Sequence, residues 1–365
     1  MAGPLRALVS GYYGFHNAGD EAILAGLVEG FRQRAPEATL TVLSQDPAAT
    51  EAEHGVKAIP RGTRAAEAAM READLFISGG GGLLQDATSW MSPLYYLYLL
   101  RQARRHGLRV ACIGQSIGPL RRGWIRGLTR RTLARVDAIG VRDGLSRDTL
   151  LGLGLRRQIE VTADLAFLLP APTADETVAA WRGAGLAEKQ TPTAALAVRR
   201  LPGQDRGEGL AIARGAVEAC RKAGLQPVFV PMHPPDDVTL AEDAAAGSCK
   251  LVRAPLTARQ TLALLGGFDL VIGMRLHALI LAGLCRLPLV GITYDPKVEG
   301  LLAELGLCAA TSAQAFDAEA LARAVGEAWE QREGFAERLR APLAALQTAA
   351  WRNLDLCLGV GEEER

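Results

Sequence analysis

The chain has 365 residues, of which 49% are hydrophobic and 22% charged, with 41 Lys and Arg against 40 Asp and Glu. A chain of this length exceeds the size at which one hydrophobic core keeps growing, so two domains are expected. The near-zero net charge excludes a global field that would draw the protein to nucleic acid or to a charged membrane, so an anionic ligand must be held by local charge.

Short apolar runs alternate with helical patterns in the first half, which is typical of β-α-β units and a parallel sheet buried on both faces. Residues 20–34 carry apolar side chains three and four apart and predict an amphipathic helix. Later helices are predicted at 94–105, 125–135 and 146–151. The predicted strands are residues 5–10, 40–44, 75–78, 109–113 and 138–141, with 161–163 closing the half.

A second series of strands and helices follows a proline-bracketed stretch that opens with Thr173 and Glu176 in capping-box spacing. Its predicted strands are 194–198, 226–230, 251–253, 270–272 and 289–292, and its helices lie near 208–223, 258–266 and 277–284. The fold class predicted is α/β, with two Rossmann-like domains and parallel sheets. The predicted domains are 1–170, a linker at 171–192, 193–340, and a C-terminal helix at 341–365 that packs back on the first domain.

In an open parallel sheet, ligands bind beyond the carboxyl ends of the strands. The loop GYYGFHNAGDE follows the first strand at residues 11–21. Asn17 and Asp20 can cap the next helix or hold a sugar hydroxyl, and Asp20 as the N-cap is the structural alternative. Asp20 and Glu21 are candidates for accepting a hydroxyl proton.

Two further motifs follow predicted strands. The run SGGGG at 78–82 is predicted to form a turn whose backbone N–H groups, at Gly79, Gly80 and Gly81, approach a carboxylate or phosphate. A flexible turn is its structural alternative. GQSIGP at 114–119 places Gln115 at the next strand end. The chain lacks G-x-G-x-x-G after its first strand and lacks a Walker lysine, which argues against a nicotinamide cofactor or a P-loop.

Arg142 lies at the end of the fifth predicted strand, in VRDGLSR at 141–147. Arginine there can grip a carboxylate or phosphate through two parallel hydrogen bonds. The structural alternative is a surface pair with Asp143 or Asp148.

The second half supplies GMRLH at 273–277 and YDPK at 294–297, both at strand ends. His277 leads into an apolar run, so a core histidine is the structural alternative. Arg275 and Lys297 favour a phosphate and proton-transfer site instead, because histidine changes charge near neutral pH. Tyr294 belongs to the same motif, and Arg199 and His233 follow two earlier strands of this half.

Residues 121–135 carry six arginines at roughly helical spacing, which fits either a solvated helix face or a contact with acidic lipid or a phosphorylated carrier. The six cysteines have no C-x-x-C pairing and indicate a reducing compartment. The first residues lead straight into a strand-like run, which argues against a secretory signal peptide. No apolar stretch approaches the roughly 20 residues of a membrane helix, so a cytoplasmic location is predicted.

Together, the motifs at 11–21, 78–82, 114–119, 142–143, 273–278 and 294–298 closely resemble those of the polysaccharide pyruvyl transferases, in the same order along nearly the whole chain. The resemblance is to the bacterial branch that modifies cell-wall polymer for anchoring surface-layer proteins. It implies two domains arranged as in the glycosyltransferase-B class, with phosphoenolpyruvate bound between them and neither a metal nor another cofactor required. It also implies that His277 and Arg142 are essential and that Lys297 holds the donor.

The function predicted is transfer of a pyruvyl group from phosphoenolpyruvate to a sugar, with a cyclic ketal and phosphate as products. The resemblance implies an N-acetylmannosamine acceptor on a lipid-linked saccharide at the inner membrane face. In this interpretation Arg142, Arg275 and Lys297 neutralise the donor and His277 acts as the general acid. The alternatives are a nucleotide-sugar glycosyltransferase, since one fold serves many reactions, and a non-catalytic saccharide- or nucleotide-binding protein. The sequence leaves the oligomeric state, the linkage and the general base open.

Overall fold

The computed structural model describes residues 3–201, 203–245 and 249–359. The chain divides into two compact units. Unit 1 comprises Met1–Phe15, Asp20–Leu169 and Leu346–Arg365, and unit 2 comprises His16–Gly19 and Pro170–Ala345. The predicted linker at 171–192 therefore belongs to unit 2. Residues 1–2 of the first predicted domain and 360–365 of the predicted C-terminal helix lie outside the described residues.

Unit 1 contains a parallel sheet of seven strands in the order β3-β2-β1-β4-β5-β6-β7. The strands are β1 Arg6–Ser10, β2 Thr39–Ser44, β3 Lys57–Pro60, β4 Leu75–Leu84, β5 Arg109–Ile117, β6 Ala138–Val141 and β7 Glu160–Val161. The chain order reverses between β1 and β4, where an open α/β sheet places its ligand crevice. β3 is absent from the sequence prediction because its four residues, ending in proline, give only a weak strand pattern.

Helices cover both faces of this sheet. They are α1 Ala18–Arg34, α2 Pro47–His54, α3 Thr63–Met70, α4 Met91–Arg105, α5 Gly123–Leu133 and α6 Gly144–Gly152, with a short 3₁₀ helix at Leu165–Leu168. The strand interiors are buried on both faces, with Leu8, Phe76 and Val110 in the core. The near-continuous apolar runs that predicted a parallel sheet thus correspond to doubly covered strands.

Unit 2 contains a parallel sheet of six strands in the order β10-β9-β8-β11-β12-β13. The strands are β8 Thr193–Ala197, β9 Gln226–Phe229, β10 Lys250–Leu251, β11 Leu270–Gly273, β12 Leu289–Thr293 and β13 Thr311–Ser312. Its order reverses between β8 and β11, and Leu196, Phe229 and Ile272 lie in its core. The strands at 194–198, 226–230, 270–272 and 289–292 are confirmed within a residue at each end.

The remaining helices are α7 Ala174–Gly183, α8 Arg206–Lys222, α9 Pro234–Ala245, α10 Ala258–Gly266, α11 Leu276–Leu284, α12 Pro296–Glu304, α13 Ala318–Glu330 and α14 Arg332–Leu358. The predicted capping box is confirmed, because the Thr173 hydroxyl accepts from the N–H of Glu176 while the Glu176 carboxylate accepts from the N–H of Thr173. The end of α14 belongs to unit 1, where Asn353 is fully buried and accepts from the N–H of Gly114 at 2.9 Å.

Candidate functional site

The first loop meets β4 at the strand-order reversal of unit 1. Tyr13 from this loop is buried, and its hydroxyl donates to the carbonyl of Gly79 at 2.6 Å. Burial raises the pKa of Tyr13 well above its ordinary value, and the nearby carboxylates of Asp20 and Glu21 add to the shift. Tyr13 therefore stays neutral and fills the reversal point of this sheet with an aromatic ring.

The glycine run lies inside β4, so the prediction of a turn after the strand is wrong. Gly79 pairs with Ile113 and Gly81 with Gln115 of β5, and Gly79, Gly80 and Gly81 are buried. Gly80 has φ of +67°, and a Cβ there would lie 2.2 Å from Cγ2 of Ile23 on α1. The run is therefore required for close packing of α1 against the strand, a long-range need that a sequence reading misses.

The first turn of α1 holds the two candidate proton acceptors. Asn17 precedes the helix and its side-chain oxygen accepts from the N–H of Gly19 at 3.1 Å, so the alternative of Asp20 as N-cap is wrong. Glu21 is buried, and it accepts from the N–H of Gly14 at 2.8 Å. Asp20 is only half-buried, and its Oδ1 would lie 3.1 Å from a Cβ on Gly81.

Gln115 is fully buried within β5, and its amide nitrogen donates to the Ser78 carbonyl at 3.1 Å and to the Ser78 hydroxyl at 2.6 Å. The motif that contains it was expected to follow the strand, but β5 extends to Ile117. In the described part of the chain its Oε1 has no hydrogen-bond partner. Gln115 thus joins two strands through its side chain.

Arg142 follows β6 and is 9% exposed. Its Nη1 donates to Oδ2 of Asp164 at 2.7 Å, and its Nε lies 3.8 Å from Oδ2 of Asp143. Asp164 is buried and caps the 3₁₀ helix by accepting from the N–H of Ala166. The alternative of a surface pair is therefore wrong in its location, because Arg142 is buried and Asp143 is only its more distant partner. The principal partner is the buried Asp164, which the sequence does not indicate.

The carboxyl ends of four neighbouring strands of unit 2 carry the remaining predicted residues. Arg199 follows β8, His233 follows β9, Arg275 follows β11, and Tyr294 follows β12. The guanidinium carbon of Arg199 lies 5.7 Å from the ring centroid of Tyr294, which is a cation–π contact. One edge of this sheet thus collects side chains that are up to 95 residues apart in sequence, counting from 199 to 294.

Arg275 caps this edge through a buried ion pair. Its Nη2 donates to Oδ1 of Asp237 at 2.5 Å, and both side chains are nearly excluded from solvent. The other carboxylate oxygen of Asp237 accepts from the N–H groups of Met232 and His233 at 3.1 and 3.0 Å. Asp237 was missed from the sequence, where its only signal is a place in the first turn of a helix that was not predicted.

His277 lies in the first turn of α11 and is half-buried. A Cβ on Gly19 would lie 2.2 Å from its Nδ1, so the imidazole packs directly on the Cα of that glycine. The same segment is fixed by the Ala18 N–H, which donates to the Met232 carbonyl at 2.9 Å. The ring packs against the first turn of α1 and its Nε2 is buried, so the core alternative for His277 stays open beside the proposed site role.

Lys297 begins α12 beside Asp295, whose side chain accepts from the Lys297 N–H at 3.0 Å. Its side chain is half-buried. Pro296 at the first helical position and Asp295 as N-cap account locally for this turn of the chain.

Among the described residues, one group of three side chains could hold a metal ion, comprising Glu21, Glu53 and His54 with ligand atoms within 4.8 Å of one another. Two carboxylates and an imidazole suit zinc or another first-row metal. Glu21 is already engaged by the N–H of Gly14, and its Oε2 lies 3.5 Å from Nε2 of His54. These contacts hold the first loop in place, so they explain why the three side chains lie together.

A cavity of about 890 Å³ lies in unit 1, lined by residues such as Arg6, Phe31, Thr39 and Lys57. These residues lie mostly at the amino ends of β1, β2 and β3, whereas the predicted motifs lie at the carboxyl ends. We assign the chemistry to the carboxyl edges, because parallel sheets bind ligands there.

The sequence profile described as Polysaccharide pyruvyl transferase matches residues 17–296, which include Arg142, His277 and the glycine run. The chain belongs to the polysaccharide pyruvyl transferase family. A curated relative is the amylovoran biosynthesis protein AmsJ of Erwinia amylovora, 27% identical over 259 residues. That match covers 65% of this chain and 61% of the relative, so the chain spans less than two thirds of that protein.

Solved structures with very different sequences share the fold of this pyruvyl transferase family member. UDP-GlcNAc 2-epimerase from Methanocaldococcus jannaschii has a TM-score of 0.65 at 12% identity, covering 98% of this chain and 100% of its own. A glycosyltransferase from Rickettsia africae has a TM-score of 0.60 at 11% identity, covering 100% and 98%. These likenesses and the two parallel sheets confirm the predicted fold class of two Rossmann-like domains. In the described residues, no helix is long and apolar enough to cross a membrane.

Proposed function

We propose that the protein transfers a pyruvyl group from phosphoenolpyruvate to a sugar of a polysaccharide precursor and releases phosphate. Family membership supports pyruvyl transfer and a polysaccharide acceptor. The relative from Erwinia amylovora, named for amylovoran biosynthesis, supports the same class of product.

The observation that carries the donor assignment is a difference in ion pairing among three arginines. Arg142 and Arg275 each share a buried ion pair with an aspartate, Asp164 and Asp237 respectively. Among the described residues Arg199 has no such ion pair, and its buried Nε has no hydrogen-bond partner. A guanidinium in this state favours a phosphate or carboxylate, because each such ligand accepts two of its donors at once.

Phosphoenolpyruvate fits this edge because it carries a phosphate and a carboxylate on three carbons. Arg199 and Lys297 are the proposed anion-binding groups, and Tyr294 holds the Arg199 guanidinium in place. Arg275 and Arg142 take a positioning role in this proposal, since the charge of each is already balanced by a buried aspartate. Other residues of the predicted site have a packing role in this proposal. The glycine run, Gly79, Gly80 and Gly81, packs beside α1, and Gln115 is hydrogen-bonded to β4.

In the proposed reaction two sugar hydroxyls lose their protons, and the products gain one proton on the methyl carbon and one on the phosphate. His277 gives a proton to the methylene carbon of the donor, which makes the neighbouring C2 electrophilic. The first hydroxyl adds at C2 and its proton restores His277. The bond between C2 and the phosphate oxygen then breaks, the second hydroxyl adds, and the departing phosphate carries the second proton. The products are a methyl-bearing cyclic ketal and inorganic phosphate.

Asp20 is the preferred general base for the second acceptor hydroxyl, whose proton it passes to the departing phosphate. The Glu21 carboxylate is buried and already accepts a backbone N–H, whereas Asp20 is half-buried. Asn17 and His233 stay candidates for holding the saccharide. The proposed acceptor is N-acetylmannosamine on a lipid-linked cell-wall saccharide, the product serving to anchor surface-layer proteins.

The experiment that tests this function is incubation of the full chain with phosphoenolpyruvate and synthetic or lipid-linked N-acetylmannosaminyl saccharides. Mass analysis is expected to detect an added pyruvyl ketal, with one phosphate released for each ketal formed. Parallel reactions with nucleotide-sugar donors provide the comparison. Nucleotide release with glycosyl transfer would overturn the proposal in favour of a glycosyltransferase, and binding without any product would overturn it in favour of a binding protein.

His277→Ala is expected to lower turnover about 100-fold or more, since general acid catalysis contributes at least that much. Circular dichroism and the thermal unfolding midpoint should stay unchanged, because the ring is only half-buried. His106→Ala, which removes an exposed histidine at the end of α4, is the matched control and should keep full activity. Near-normal turnover of His277→Ala would refute the proton-transfer role.

A further inference from the structure

Two tryptophans and a methionine are exposed at the carboxyl edge of the unit 1 sheet. Trp90 is 47% exposed, Met91 63% and Trp124 53%. The Trp90 and Trp124 rings lie 6.2 Å apart with an interplanar angle of 69°. We call these three residues the aromatic patch. Large apolar side chains grouped on a surface mark an interaction site, whereas single exposed ones do not.

The two loops that carry the aromatic patch are joined by one buried carboxylate. Asp86, in the loop after β4, accepts from the N–H groups of Arg121 and Arg122 at 2.6 and 2.8 Å. Its own N–H donates to the Pro119 carbonyl at 3.1 Å. Burial opposes ionisation of Asp86, yet these donors outweigh it and lower its pKa. The patch is therefore held in place by a charged anchor.

Helix α5 continues the patch as a face of arginines. The helix buries Ile125, Thr129, Thr132 and Leu133 against the protein. The exposed cations of residues 121–135, a stretch without an acidic residue, are Arg121, Arg122, Arg126, Arg130, Arg131 and Arg135. Trp124 and Arg131 are seven residues apart and share one side of the helix. We call these six arginines the arginine face.

Within the described part of the chain, only Arg122 of the arginine face lies near a carboxylate, with its Nη1 3.6 Å from Asp86. Six like charges on one short stretch repel one another, and an anionic surface would relieve that repulsion. Tryptophan and arginine share one preferred environment, the boundary between headgroups and acyl chains of a bilayer. There the indole has an apolar body and a polar N–H, and the guanidinium meets lipid phosphate.

We propose that the aromatic patch and the arginine face dock unit 1 on a bilayer surface that carries anionic lipids. A nucleic acid is the less suitable partner, because the two indoles pack edge to face and leave no parallel gap for a base. Met91, the most exposed of the three, has a use in an acyl environment and none against a base. The inference depends on these surface residues and is independent of the proposed pyruvyl transfer.

The test is co-sedimentation of the full chain with two kinds of vesicle, phosphatidylcholine alone and an equal mixture of phosphatidylcholine and phosphatidylglycerol. The protein is expected to bind the mixed vesicles, to bind the neutral ones weakly, and to lose binding as salt is raised. Tryptophan emission should shift to shorter wavelength on the mixed vesicles, which adsorption through charge alone would not produce.

Two sets of variants separate the contributions. An Arg126→Gln, Arg130→Gln, Arg131→Gln triple variant should weaken binding about fivefold for each arginine removed. A Trp90→Ala, Trp124→Ala double variant should weaken binding and abolish the emission shift. The matched control is Val178→Ala with Arg182→Gln, which removes an exposed apolar residue and an exposed arginine from α7 of unit 2. The control should bind as the wild type does.

All of these substitutions are at exposed positions, so each variant should keep the wild-type circular dichroism spectrum and unfolding midpoint. Equal binding to both kinds of vesicle, no binding to either, or unchanged binding by both variant sets would overturn the proposal. Tighter binding to a single-stranded oligonucleotide than to mixed vesicles would overturn it in favour of a nucleic-acid surface.

Discussion

Each unit has a buried arginine–aspartate pair whose arginine follows a strand of its sheet, β6 in unit 1 and β11 in unit 2. Arg142 follows β6 of unit 1 and pairs with Asp164 at 2.7 Å, whereas Arg275 follows β11 of unit 2 and pairs with Asp237 at 2.5 Å. The units differ in the side chains at their strand-order reversals. At the strand-order reversal unit 1 has the neutral Tyr13 and a tightly packed glycine run, but unit 2 has Arg199 and His277.

This contrast distinguishes arginines that are paired with a buried aspartate from an arginine that can bind a ligand. An arginine beside a buried carboxylate has less to gain from a second anion, because the carboxylate already neutralises its charge. An arginine held only by an aromatic ring keeps its capacity for a phosphate. We therefore propose anion binding at the carboxyl edge of unit 2 and a positioning role for the arginine of each pair.

The largest expected effect comes from breaking either pair. Asp237→Asn removes the counter-charge of the buried Arg275 guanidinium, which costs about 3–5 kcal/mol. Asp164→Asn leaves Arg142 the more distant carboxylate of Asp143 and should cost less. Urea unfolding of each variant measures the loss. Asp243→Asn, which breaks the exposed contact with Arg206, is the control and should change stability little. Unchanged stability of both buried variants would show that the pairs do not anchor the two edges.

Next in size is the effect of Gly19→Ala on turnover. The added Cβ would lie 2.2 Å from Nδ1 of His277, so the imidazole must move. A displacement of about 1 Å at a reacting group costs about 100-fold in rate, and kcat should fall by up to that factor. Gly300→Ala on α12, where a Cβ would meet nothing within 4 Å, is the control. If Gly19→Ala kept the wild-type kcat, the proposed proton-transfer role of His277 would be wrong.

Arg199→Ala is expected to have a smaller effect, confined to donor binding. Loss of a charge-assisted hydrogen bond of about 1.5–3 kcal/mol should raise KM for phosphoenolpyruvate roughly tenfold or more. The exposed neighbour Arg200 provides the control variant Arg200→Ala. Steady-state kinetics at varied donor concentration measure both. If Arg199→Ala and Arg200→Ala had the same KM for phosphoenolpyruvate, Arg199 would not bind the donor, and Arg275 and Lys297 would be the remaining candidates.

The smallest expected effect is a pH dependence at the start of unit 2. Arg259 donates to Glu176, which with the N–H of Thr173 lowers the pKa of that carboxyl to about 2. A lowered folded-state pKa stabilises the fold above the ordinary value of about 4.3, and this contribution is lost as pH falls towards 2. The difference in unfolding midpoint between wild type and Glu176→Gln should therefore shrink between neutral and acid pH.

Asp74 of unit 1, whose pKa Arg6 lowers in the same way, provides the comparison for Glu176. Both carboxylates are partly solvated, so Glu176→Gln and Asp74→Asn should each change the unfolding midpoint only slightly. A difference for Glu176→Gln that is independent of pH would mean that the contact with Arg259 acts through packing alone.

The sequence by itself determined the alternation of strands and helices, the capping of α7, and the position of Arg142, Arg275 and His277 after strands. These features follow from local periodicity and capping, which a one-dimensional pattern contains. The tertiary structure alone decided that Arg142 meets Asp164 and Arg275 meets Asp237, partners 22 and 38 residues away. It also decided that the glycine run serves helix packing inside β4. Charge pairing and close approach depend on which distant segments meet, and no local propensity encodes that distance.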